Sequence, residues 1–138
     1  MSYEVVETEE VPITDLSEID SLPPDQKIRD IDTALGLGNL KAKIWYFEPG
    51  DEIQYHAHSE QEELFYVIEG EFSLKLGESD DAEIVEVGEG DFWAAKPKVG
   101  HGHHYIGDDE GILLALGAPG TTDPGTDPRK FEEEQEDE

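Results

Sequence analysis

From Leu40 onward the chain is a series of short β-forming runs separated by turn residues. Lys41-Ala42-Lys43-Ile44-Trp45-Tyr46-Phe47 opens the series and stops at the turn pair Pro49-Gly50. Further strands are predicted over Gln54 to His58, Leu64 to Ile68, Phe72 to Leu76, Glu83 to Val87, Phe92 to Ala95, His101 to Ile106 and Ile112 to Leu116. Phe72-Ser73-Leu74-Lys75-Leu76 alternates apolar and polar residues, as a strand with one buried face should. Glycines stand in nearly every gap. Eight short strands with glycine turns predict an all-β antiparallel fold, and a jelly roll fits the count.

The ends of the chain read differently. Residues 1–38 form a lead-in with one short helix, opening near Ser21-Leu22-Pro23-Pro24-Asp25, because proline is tolerated in a first helical turn. Ile28, Ile31 and Leu35 follow at helical spacing, and Gly36 supplies the stop. The barrel then occupies 39–119. Beyond it, residues 120–138 carry two prolines, Pro124 and Pro128, among Thr, Asp and Gly and then an acidic run, so an irregular acidic tail is expected from about Thr121. No internal repeat is visible.

Composition narrows the chemistry. The 138 residues include no cysteine, so disulfides, iron–sulfur clusters and thiolate zinc sites are excluded, and any metal must sit on imidazole and carboxylate. Thirty-six Asp and Glu oppose nine Lys and Arg, a formal net charge of -27. Such a surface repels nucleic acid and anionic membranes, whose binding relies on Lys and Arg. The acids are spread along the chain rather than gathered in the tail, a distribution that resembles halophilic proteins working in high salt. No apolar run approaches the ~20 residues that span a bilayer. The first residues show neither a basic leader nor an apolar stretch, so the expected location is cytoplasmic.

The histidines carry the candidate chemistry. His56 and His58 are two apart and so share one face of a strand, and His101 and His103 repeat that spacing on a later strand. Glu63 opens the strand after the first pair, where a hairpin would return its carboxylate to them. A single His-x-His in a strand is more often surface or core filler than a ligand. Two such pairs in a chain with five histidines are harder to dismiss, because imidazoles facing a barrel interior need partners.

The spacing of Gly50, His56, His58, Glu63 and Gly70 resembles the first signature motif of the cupins at every marked position. A looser second motif opens at Gly90-Asp91, with Pro97 one residue and Gly100 two residues later than the pattern asks. Counting from Gly90 makes His101 the third histidine, whereas counting from Gly100 makes it His103. The longer count is preferred, since the following Gly107-Asp108-Asp109 turn agrees with it.

The resemblance covers about Leu40 to Pro119 and implies a double-stranded β-helix barrel, often a homodimer. It further implies a divalent transition metal (Fe, Mn, Ni, Zn or Cu) on His56, His58, Glu63 and His101. His103 then lies near a small-molecule substrate, and Tyr105 stands where the family usually has asparagine. These two are the candidate catalytic residues, and His104 faces away. The expected function is a metal-dependent enzyme of dioxygenase or isomerase type. The alternatives are a non-catalytic metal and ligand-binding or sensing module, and a metal-free epimerase with a histidine base and a tyrosine acid.

Overall fold

The eight expected strands all form. In the computed structural model, which describes residues 3–15, 27–120 and 125–136, they are β3 (Lys41–Phe47), β4 (Glu52–His56), β5 (Glu62–Glu69), β6 (Phe72–Gly77), β7 (Glu83–Val87), β8 (Phe92–Ala95), β9 (Gly100–Tyr105) and β10 (Gly111–Ala118). Two N-terminal strands, β1 (Ile13–Asp15) and β2 (Lys27–Asp30), extend one edge. The strands form two antiparallel sheets, a six-stranded one in the order β1-β2-β3-β10-β5-β8 and a four-stranded one in the order β4-β9-β6-β7. This is the double-stranded β-helix.

Alternation decides which residues line the interior. Leu113 on β10 stands opposite Trp45 on β3 and Val67 on β5, so the three share one face. On the other sheet His103 stands opposite Leu74 and Ile53. Phe47, Phe65, Val67, Phe72, Leu74, Trp93, Tyr105 and Leu113 close one buried cluster between the sheets. Its rings meet edge to face, as with Phe47 and Phe72, or stacked, as with Phe65 and Trp93 at 4.7 Å.

The lead-in departs from expectation. The helix α1 is confined to Ile31–Leu35, while Ile28 lies buried in β2 opposite Trp45. Strand pairing with β3 overrides the helical spacing. Arg29 reinforces it, donating from Nη1 to the Val11 and Thr8 carbonyls at 2.6 and 2.9 Å and from Nε to the Tyr46 hydroxyl at 2.7 Å. The stop at Gly36 forms as expected, with φ at 69°, a left-handed conformation that glycine adopts without a Cβ penalty. Buried Asp32 ties α1 to β3 by accepting from the Ala42 N–H at 2.7 Å and from Lys43 Nζ at 3.0 Å. The expected helix start at Ser21 to Asp25 lies outside the described residues.

The C-terminal segment is a second correction. Where an irregular tail is expected, Thr126 exchanges two backbone hydrogen bonds with Ala57, each 2.9 Å, and Arg129–Glu136 forms helix α2. Phe131 is buried, and Glu132 accepts from the Ser79 N–H at 2.6 Å. The segment straps across one end of the barrel.

Candidate metal centre

Three elements aim four side chains at one point. His56 ends β4 and stands opposite His101 on β9; a register shift between Ile53 and His56 turns the end of β4 inward. His58 follows just beyond the strand, its ring centroid 4.9 Å from that of His56. Glu63 belongs to the inner row of β5, two residues before Phe65. One potential ligand atom from each of His56, His58, Glu63 and His101 lies within 4.8 Å of the others.

Hydrogen bonds orient the rings. His56 Nδ1–H donates to the Gln54 carbonyl at 2.6 Å, and His101 Nδ1–H donates to the Val99 carbonyl at 3.0 Å. With Nδ1 donating to backbone, Nε2 is the atom that His56 and His101 turn to the cluster. Glu63 Oε1 lies 2.8 Å from His101 Nε2 and 3.0 Å from His58 Nε2. Burial pushes the Glu63 carboxyl up, but hydrogen bonds to His101 and His58 outweigh it and hold it well below the usual carboxylate range. Burial, with neighbouring His101, lowers His56 to about 4. Near neutrality the cluster therefore holds an anionic carboxylate and an unprotonated His56, the forms that bind metal. Three imidazoles and one carboxylate fit a first-row divalent ion and leave coordination positions open for a ligand.

The remaining expected site residues separate. His103 sits one inward step deeper than His101, 6 % exposed, with Phe47, Phe65, Phe72 and Trp93 around it at centroid distances of 5.4 to 6.2 Å. Its Nδ1 has no hydrogen-bond partner among the described residues, and neither has the neighbouring Trp93 Nε1. Burial, with the charges of His101 and His56, lowers His103 to about 3 and keeps it neutral.

Tyr105 lies a further step down β9, against Phe47 and Phe72. A Cβ on Gly70 would come within 2.6 Å of its ring, so it plugs the floor and does not line the cavity. Of the two residues expected to be catalytic, His103 therefore borders the cavity and Tyr105 packs beneath it. His104 is exposed, its Nδ1 3.7 Å from Glu52.

A cavity of about 1060 Å³ opens beside the cluster, lined on its apolar side by Trp45, Ile53, Phe65 and Ala115 and reaching His103. Residues 125–129 form part of its wall, and a Cβ on Gly125 would come within 2.8 Å of His56 Cδ2. The sequence carries no periodicity that would have placed them there.

The family model described as a cupin domain matches residues 43–117. The chain belongs to the cupin family. Solved structures agree with the fold of this cupin. The polyketide cyclase RemF from Streptomyces resistomycificus is 24 % identical, with a TM-score of 0.73 over 90 % of this chain and 84 % of that one. An RmlC-like cupin from Shewanella frigidimarina is 25 % identical, with a TM-score of 0.66 over 86 % and 95 %. A protein with a double-stranded β-helix domain from Klebsiella pneumoniae is 26 % identical, with a TM-score of 0.58 over 66 % and 77 %. No curated protein matches the chain. Among the described residues, no helix is long and apolar enough to cross a membrane.

Proposed function

We propose that this cupin holds one divalent transition metal on His56, His58, Glu63 and His101 and acts on a small organic molecule in the adjoining cavity, with oxygenase- or isomerase-type chemistry. The observation that carries the reading is the convergence of four donors, two of them imidazoles whose Nδ1 is held by a backbone carbonyl. A bound metal would supply Lewis acidity and open coordination positions at the cavity wall. The protein's own part is to orient and exclude. Phe65, Trp45 and Ile53 present an apolar surface to the substrate body. Neutral His103 offers a hydrogen bond without a charge, and the aromatic cluster beneath it keeps water from the floor. Tyr105 stays out of the chemistry and supports β9 from below.

Protein purified without chelator should carry close to one transition metal per chain by elemental analysis. A metal-free protein whose thermal midpoint does not rise with Mn, Fe, Co, Ni, Zn or Cu would overturn the reading. Turnover is then sought with the loaded protein, and a loaded protein that binds ligands without converting them is a binding module instead.

A further inference from the structure

Over the whole chain acids outnumber cations 36 to nine, yet the cavity reverses the ratio. Lys41, Lys43, Lys75 and Arg129 line it, against only Glu63 and Asp127 among the described residues. The two acids are already engaged, Glu63 with the imidazoles and Asp127 Oδ1 by accepting from the Arg129 backbone N–H at 3.0 Å. Lys43 is also engaged, its Nζ 3.0 Å from both Asp30 and Asp32. Lys41 and Arg129 form no ion pair among the described residues, whereas Lys75, beside inward Leu74, turns to the outer face and lies over the Tyr55 ring, 4.4 Å from its centroid.

Register places Lys41 in relation to the metal cluster. It stands opposite Gly117, which stands opposite Glu63, so all three share the inner face two strand spacings apart, about 10 Å between the outer backbones. Arg129 reaches the mouth on the strap that Thr126 pins to Ala57, between His56 and His58. On a body of charge -27 an anionic ligand is repelled over most of the surface, and exposed cations at the cavity mouth mark a place where it is drawn in.

We propose that the cavity selects a small organic acid, with its apolar body against Trp45, Ile53 and Phe65 and its carboxylate or phosphate drawn to Lys41 and Arg129. The proposal rests on the reading that this cavity is the ligand site. Charge-assisted contacts of this kind discriminate by about tenfold or more.

Calorimetric titration with benzoate, phenyl phosphate and neutral benzamide tests it, alongside metal titration of the same samples. Wild type should bind at least one of the two anions about tenfold more tightly than benzamide. K41Q/R129Q should lose that preference while keeping wild-type metal affinity, and H56A should lose metal while keeping the preference. Whichever anion binds more tightly identifies the head group. The proposal is overturned if neither anion binds better than benzamide, if K41Q/R129Q leaves the preference intact, or if H56A abolishes it. A failed metal titration sinks the metal-centre reading and leaves the anion result to be read on its own.

Discussion

At the scale of single residues, two histidines that alternate in sequence meet different environments. His101 and His103 both point inward from β9, but only His101 reaches Glu63. His101→Ala should therefore cost more than the roughly 10–100-fold in metal affinity that outer partners are worth, while His103→Ala leaves the metal in place. Glu63→Gln should weaken binding less than His56→Ala, since an amide oxygen still coordinates. The reverse pattern on metal titration would move the third ligand to His103.

His103 also carries a cost. Its buried Nδ1 lacks a partner among the described residues, so His103→Leu should raise the thermal midpoint of chelator-treated protein by about 3–6 °C. The folded state holds His103 well below its ordinary value of 6.5, at about 3, so below pH 6.5 the unfolded chain binds the extra proton. The resulting loss of stability is absent above pH 6.5 and grows as pH falls from 6.5 toward 3. The advantage of His103→Leu should accordingly widen between pH 7 and pH 4.5. A gap that narrows on acidification would contradict the buried neutral imidazole.

At the scale of elements, the strands were legible because glycine turns and β-forming runs act locally. The clustering of His56, His58, Glu63 and His101 was legible for a similar reason, since the first three fall within one short stretch and His101 repeats the pattern. The lead-in was not, because Ile28, Ile31 and Leu35 suit a helix until the edge of β3 offers Ile28 a pairing partner. The strap was invisible because one apolar residue, Phe131, makes no period. The cavity cations were invisible too, coming from three distant segments that only tertiary structure gathers.

Phe131 lies outside the barrel's aromatic cluster, so its loss should free the strap without unfolding the barrel. Phe131→Ala should speed tryptic cleavage at Arg129 and Lys130 while lowering the thermal midpoint by less than about 3 °C. An unchanged cleavage rate, or the loss of about 3–5 kcal/mol typical of a core phenylalanine, would show that the segment is held differently.

At the scale of the whole molecule, charge dominates. Thirty of the thirty-six acids lie before the terminal run Phe131–Glu138, so the field belongs to the barrel as well as to the tail. At about 0.01 M salt the Debye length is about 30 Å, comparable to the domain itself, and nearly every carboxylate repels every other. At molar salt only near neighbours interact, and the compact state is favoured. The thermal midpoint should rise steeply between about 0.05 M and about 2 M KCl, with or without metal. Shortening the chain after Arg129 should reduce that slope only in part, because it removes a minority of the acids. The cavity answers to the same field with the opposite sign, so its cations hold their anion at short range while the surrounding repulsion is screened. A midpoint that barely moves with KCl would defeat the reading of the acidity as an adaptation to salt. It would assign the charge instead to a cationic partner, which polylysine of graded length, titrated at low salt, would reveal as saturable complex formation.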